Sequence, residues 1–364
     1  MAHRKFDAFK QAIEIRKQQV YAHLRQPAYL SMFGPAHIGS AVYIYIQRGG
    51  KGLRPALLMI CCGAVGGDEH VALPAAAAVE VYHTMTLVHD DIIDRDDLRR
   101  GAPTVHCEFA SRAVQEIGYE ATEGEHYGLT IGLLTGDAQH AWAMLLLTEL
   151  ARGNKVKGEL ALALLADLNG RVSPSLIEGE TLDFQQARQP VDSLTEELVL
   201  DMMGKKTAVL FDFAGRAGAA IGLGDITLQD PMVAAIASFC AQCGIAFQLH
   251  DDILGIVGDQ SQLGKPVGSD VREGKKTTIV LEAFKRASST QRALLERTLG
   301  NPGATEAEVE AVTALLQDLG GVAYTGDLAR RYVEDAVPFL DPIPSSNHKD
   351  LLLQLAEYMV EREF

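Results

Sequence analysis

Residues 86–106 read TLVHDDIIDRDDLRRGAPTVH: five aspartates behind an apolar run, then two arginines, a glycine and a histidine. Like charges side by side destabilise a helix or loop unless a cation neutralises them. On a helix Asp90 and Asp94 point the same way, with Asp91 one step round. Three carboxylates at the buried end of an apolar helix are costly if left unpaired. Magnesium meets that cost: it takes hard oxygen ligands, keeps several waters, and combines a few carboxylates with substrate phosphates. Read alone, the cluster fits a solvated acidic helix end equally well. A second cluster changes the balance. Residues 247–259, FQLHDDILGIVGD, end another long apolar run with Asp251 and Asp252. Two acidic pairs, each capping a buried helix, could face one another across the mouth of a cavity.

Cations surround the acids in sequence. Gly49-Gly-Lys51-Gly-Leu-Arg54-Pro55 joins a glycine-rich turn to two basic residues. Arg99 and Arg100 follow Asp94, Lys206-Thr207 interrupts an apolar run, and Lys265 and Lys275 follow the second cluster. Arginine forks suit bidentate phosphate contacts, and lysines serve as point charges. Each cation alone reads as a solvated surface residue. Together, beside the acids, they suggest metal-assisted binding of one diphosphate and direct basic contacts to another.

The elements that must position these groups read as helices. Ala, Leu, Glu and Gln recur at helical spacing over 70–91, 128–151, 156–168, 230–255 and 277–298, and strand signals are short and isolated. Ser173-Pro174 fits an N-cap followed by proline at the first helical position. Ser193-Leu-Thr-Glu196 fits a capping box. The runs are apolar nearly all round, as in helices buried inside a large bundle. The expectation is an all-α protein with ten or more helices around a central space, residues 1–364 forming one domain. The glutamate-rich stretch 112–127 breaks the rhythm and reads as a surface loop or short exposed helix.

Composition agrees. The chain has 364 residues, 47% hydrophobic and 22% charged, the profile of a globular protein. Its formal net charge of −15 argues against nucleic acid, whose binders neutralise phosphates with a basic stripe. The charged N-terminus lacks the apolar core of a secretory signal. No stretch reaches the roughly 18 uninterrupted apolar residues of a membrane span. A cytoplasmic protein is expected. Five cysteines suit a reducing compartment. Cys240 and Cys243 form a C-x-x-C inside an apolar helical run without a second ligand pair, favouring core over zinc or redox chemistry.

Taken in order, GGKGLRP, HDDIIDRDDLRRGAPTVH, TGDA, GETLDF, GKKTA, FQLHDDILGIVGD and GKPVGSDVREGKKT resemble the trans-isoprenyl diphosphate synthases, all-α prenyltransferases with a central tunnel. The likeness runs from about Gly49 to the C-terminal helix and is nearest to short-chain geranylgeranyl and farnesyl diphosphate synthases. It implies that Asp90, Asp91 and Asp94 form a first magnesium motif, and Asp251 and Asp252 a second, bridging Mg2+ to an allylic diphosphate. Arg99, Lys206, Lys265 and Lys275 would contact that diphosphate. Lys51, Arg54, His83 and Arg100 would hold isopentenyl diphosphate without metal. Thr207 and Gln248 would lie near the developing carbocation, and Asp183 in a polar network behind the metals. A homodimer is also implied.

Three departures stand out. The last acid of the second motif is replaced by Gly255, the glutamine that often precedes LDF is Glu180, and residues 112–127 lengthen the loop after the first motif. Met85 and Thr86, five and four residues before Asp90, lie roughly 6–8 Å along the helix axis from it. In the family, small residues there let the product grow and paired aromatics stop it. A twenty-carbon product is expected here, with a farnesyl or longer product as the alternative. Met85 is equally an ordinary core methionine. Two other functions compete: a weakly active regulatory partner subunit, motivated by Gly255, and a terpene cyclase, which would need neither GGKGLRP nor the arginine pair.

Overall fold

The structure, a computed structural model, describes residues 6–152, 155–257 and 268–361. Its main helices, in chain order, are α1 (Asp7–Leu24), α2 (Leu53–Ala64), α3 (Leu73–Ile93), α4 (Val105–Arg112), α5 (Ala121–Thr148) and α6 (Gly158–Asp167). They continue with α7 (Ser173–Gln186), α8 (Glu196–Met203), α9 (Val209–Leu223), α10 (Pro231–Val257), α11 (Ser269–Glu273) and α12 (Thr278–Arg286). The last four are α13 (Ser289–Thr298), α14 (Glu306–Asp318), α15 (Gly321–Ala336) and α16 (Asn347–Glu361). The all-α expectation is borne out. Among the described residues the strands are β1 (Leu98–Arg99) and β2 (Ala102–Pro103), an antiparallel pair with Leu98 opposite Pro103. Arg100 and Gly101 join them, both at positive φ (56° and 74°), as the two central residues of a type I′ hairpin turn require.

The chain divides into two compact units. The first holds Met1–Ala166, Ala214–Ala234 and Ile343–Leu352; the second holds Asp167–Phe213, Ala235–Pro342 and Leu353–Phe364. In the first, α3 packs along α5, α4 also lies on α5, and α1 and α2 cover other parts of α3. The alanine run 75–78 of α3 is wholly buried, which allows helices to approach closely. In the second, α12 packs on α15, and α14 on both α13 and α15, around a core including Val199, Leu249, Ile279, Val312 and Leu316.

Several local expectations shift. Ser173 is not an N-cap: it is the first residue of α7, which follows directly on a π-turn at 168–172, so helical backbone runs unbroken from Gly158 to Gln186. The wider turn accommodates Pro174, which has no amide to donate, and Ser173 Oγ donates to the Leu168 carbonyl (2.8 Å). Thr195, not Ser193, caps α8, its hydroxyl accepting from the Leu198 amide (3.3 Å). The run 277–298 splits at Ser288, where a capping box with Gln291 starts α13. Residues 121–127, expected as a surface loop or short exposed helix, are the mostly exposed first turns of α5, since alanine and glutamate favour helix. Cys240 and Cys243 are fully buried inside α10, as expected of core residues. Among the described residues, three helical stretches are long and apolar enough to cross a membrane by length and composition: Glu69–Ile93, Gly158–Gln186 and Pro231–Val257. Burial within the protein accounts for 67% and 56% of the first and third, but only 28% of the second.

Candidate active site

In the first unit the acids end α3. Asp94 is its C-cap, with its amide on the Asp90 carbonyl (2.8 Å), so the helical turn holds the two side chains on one face. One carboxylate oxygen of each lies within 4.8 Å of the other. Asp91 is fully buried and Asp90 half-buried. Arg99 neutralises this pair: Nε donates to Asp91 Oδ1 (2.5 Å) and Nη2 to Asp90 Oδ2 (3.2 Å). The Tyr45 hydroxyl donates to Asp91 Oδ2 while accepting the Val105 amide (3.2 Å). Burial pushes the Asp91 carboxyl above its ordinary value, against the opposing pull of Arg99 and Tyr45.

The hairpin aims its two arginines differently. Arg99 reaches the acids, while the Arg100 guanidinium lies over Gly50, where an added Cβ would sit 2.8 Å from Nη2. Glycine in GGKG therefore makes room for that cation. Arg100 Nη1 also donates to the Tyr45 carbonyl (3.3 Å). Arg54, in the first turn of α2, places Nη1 3.3 Å from His83 Nε2 on α3. An arginine can only donate, so Nε2 accepts and the imidazole proton sits on Nδ1. Desolvation, with Arg54, Arg100 and Arg99 nearby, holds the His83 pKa well below its ordinary value, so the ring stays neutral. Lys51 is exposed. The sequence-derived group Arg54, His83 and Arg100 is thus brought together around the glycine turn. Met85 is buried on α3, and Thr86, partly buried, donates its hydroxyl to the His83 carbonyl (2.8 Å).

In the second unit Lys206 and Thr207 lie on a π-turn, Gly204–Ala208, between α8 and α9. Such turns turn side chains off the regular helical path and are frequent at functional sites. Lys206 Nζ donates to Asp183 Oδ2 (2.6 Å) and Glu180 Oε2 (2.9 Å), both on α7. This puts Asp183 and the unusual Glu180 on the lysine itself. Thr207 Oγ1 donates to Gln248 Oε1 (2.9 Å), and Gln248 Nε2 donates to Asp252 Oδ1 (2.9 Å), a relay from the π-turn to the acid end of α10. The acceptor on one side and the hydroxyl on the other orient the amide.

Asp252 is 93% buried, at 7% exposure, and its Oδ2 has no hydrogen-bond partner among the described residues. Burial, with Asp270 and Asp251 near, raises its carboxyl well above the ordinary value. Asp251 is half-buried. Lys275 pairs with Glu273 (2.8 Å) and lies 3.9 Å from Asp270. Lys265 falls outside the described residues. The acid set on α3 offers converging oxygen ligands of the kind a hard divalent cation takes, and Asp252 keeps one buried carboxylate oxygen unbonded among the described residues.

Two participants were not singled out from sequence. Tyr45 stands in an apolar YIYI turn, where an aromatic reads as core. Asp270 lies within the quoted GKPVGSDVREGKKT, and the clue to it was the missing acid at residue 255.

A family model described as Polyprenyl synthetase matches residues 35–316. The chain is 34% identical over 353 residues to the geranylgeranyl diphosphate synthase of Methanosarcina mazei, covering 96% of this chain and 98% of that one. The crystal structure of geranylgeranyl pyrophosphate synthetase from Pyrococcus horikoshii superposes with a TM-score of 0.83 at 30% identity, covering 99% of this chain and 100% of that one. The geranylgeranyl pyrophosphate synthase of Corynebacterium glutamicum, complexed with isoprenyl diphosphate and magnesium, gives a TM-score of 0.83 at 27% identity, covering 99% and 100%.

Proposed function

The chain belongs to the polyprenyl synthetase family and is a trans-prenyltransferase, and on that premise we propose that it condenses isopentenyl diphosphate with an allylic diphosphate to make geranylgeranyl diphosphate. The observation that carries the two-diphosphate reading is the hairpin. Consecutive arginines serve an acid set on one side and, on the other, the group of Arg54 and His83 beside the glycine turn. The twenty-carbon product is supported by the names of the relatives at 34% identity and by Thr86 and Met85, neither aromatic, a turn before Asp90.

We assign Asp90, Asp91 and Asp94, with Asp251 and Asp252, to magnesium. The ion, when bound, stabilises charge on the departing diphosphate as a Lewis acid. The C–O bond of the allylic substrate breaks to leave an allylic cation. The isopentenyl double bond attacks that cation, and a proton passes to the released diphosphate. Arg99, Lys206, Lys265 and Lys275 are assigned to the leaving diphosphate, with Asp183 and Glu180 fixing the Lys206 ammonium. Lys51, Arg54, His83 and Arg100 are assigned to isopentenyl diphosphate, where a neutral His83 offers a donor without adding charge. Gln248, oriented by Thr207 and Asp252, turns a carbonyl dipole towards developing positive charge, the kind of preorganised electrostatics that dominates catalysis. We further propose that residues 1–364 act as one catalytic domain, in the cytoplasm, as a homodimer. Exposed Leu129 and Leu133, one turn apart on α5, support a protein contact there.

Asp90→Ala tests the assignment: condensation should fall by more than about 100-fold, a larger loss than removal of an outer-shell partner causes, with the far-ultraviolet spectrum unchanged. Near-normal turnover would remove Asp90 from the metal site.

A further inference from the structure

Gly255 stands where the second aspartate motif would carry its last acid, one turn beyond Asp251 on α10. The position is filled from elsewhere. A Cβ built on Gly255 would lie 2.6 Å from Asp270 Oδ2 and 3.5 Å from its Cγ. No real side chain fits there without displacing that carboxylate. Asp270 comes from α11, a five-residue helix flanked by Gly268 and Gly274, both in the left-handed region (φ 82° and 78°). Gly274 packs against the Gly300 backbone, and the Lys275 amide closes back on the Asp270 carbonyl (3.0 Å). The placement is therefore set by backbone contacts and not by a free side chain. Asp252, Asp270, Lys275 and Thr277 share the lining of one small cavity with five aliphatic side chains, and the buried Oδ2 of Asp252 has no hydrogen-bond partner among the described residues.

We propose that Asp270 supplies, from a separate helix, the carboxylate that the second motif lacks, completing with Asp251 and Asp252 the acid set for a divalent cation on the second unit. The inference rests on the metal assignment above. It makes Gly255 a space-maker for Asp270 and not a lesion, which removes the motive for a catalytically weak subunit. It also predicts that acid and glycine can be exchanged between the two positions.

The test reads magnesium binding through the melting temperature of the full chain, in the presence of inorganic diphosphate, without any turnover. Asp270→Asn should raise the magnesium concentration for half-maximal stabilisation about tenfold or more, while leaving the melting temperature without magnesium near that of the parent. Gly255→Asp alone should give no gain, since two carboxylates would compete for one space. The double variant Gly255→Asp/Asp270→Gly, which moves the acid and vacates the space it filled, should recover most of the roughly tenfold loss. Should Asp270→Asn prove poorly folded, Asp270→Ser takes its place. A parent that responds to magnesium, with Asp270→Asn responding identically, overturns this inference alone. A weakened Asp270→Asn that the double variant fails to restore also overturns it, placing the role of Asp270 elsewhere. A parent without any magnesium response overturns the metal assignment and this inference with it.

Discussion

Asp252 carries the chemistry of the proposed cation site in a single side chain. It is buried, gives one oxygen to Gln248 and leaves the other without a partner, and its carboxyl is held well above the usual range. Such a group keeps its proton in the folded protein at pH values where the unfolded chain has lost it. Its contribution to metal-free stability therefore falls as pH rises from about 4 towards the raised value. A divalent cation binds only the ionised form, so the rise in melting temperature caused by magnesium should grow as the pH is raised through the range in which the folded protein loses this proton. Asp252→Asn should flatten that profile; a pH-independent effect of magnesium in the parent would contradict the argument. Met85 makes a separate prediction. It is buried one turn below the acids on α3, and phenylalanine is larger and stiffer there. Met85→Phe should shorten the product towards fifteen carbons, read by chromatography of the dephosphorylated prenols. An unchanged length would put the stop elsewhere.

The π-turn Gly204–Ala208 depends on its partner helix. Gly179 of α7 faces it so closely that a Cβ would sit 2.3 Å from the Lys206 amide nitrogen and 2.7 Å from the Lys205 carbonyl carbon. Both are backbone atoms and cannot swing away. Gly179→Ala should therefore destabilise the protein by about 1–3 kcal/mol in urea titration and lower turnover further by moving Lys206 and Thr207. Wild-type values for both would mean the turn adjusts freely. This is also the scale at which the sequence was least legible. The long apolar runs announced α3, α5 and α10 and put both acid pairs at helix ends, because burial and period act locally. Ser173-Pro174 misled, since a proline inside a helix is signalled in the same way as one at its start, and only the π-turn at 168–172 separates the cases. The cations near the acids were legible as a set, but not their pairing. That Arg99 lies on Asp91, and Lys206 on Asp183 and Glu180, depends on which residues the fold brings together. The same holds for Tyr45 and Asp270, whose partners lie 46 residues away for Tyr45 and 18 for Asp252 against Asp270.

At the scale of the whole chain, a formal charge of −15 opposes the approach of anionic diphosphates. The cations are correspondingly concentrated. Arg54, Arg99 and Arg100 all act on His83, Lys265 and Lys275 follow the second acid motif in the sequence, and Lys206 stands beside Thr207, whose hydroxyl bonds Gln248 on the same helix as that motif. The apolar content of α3 and α10 is answered largely by burial, so hydrophobic length serves packing and leaves the charged groups at helix ends. The central claim is that these groups join isopentenyl units to an allylic diphosphate and stop at twenty carbons. The most direct test supplies purified full-length protein with magnesium, labelled isopentenyl diphosphate and dimethylallyl, geranyl or farnesyl diphosphate in turn, and resolves the products by chain length. Geranylgeranyl diphosphate as the principal product is the predicted result. No product with any starter, from folded and magnesium-replete protein, would contradict the account.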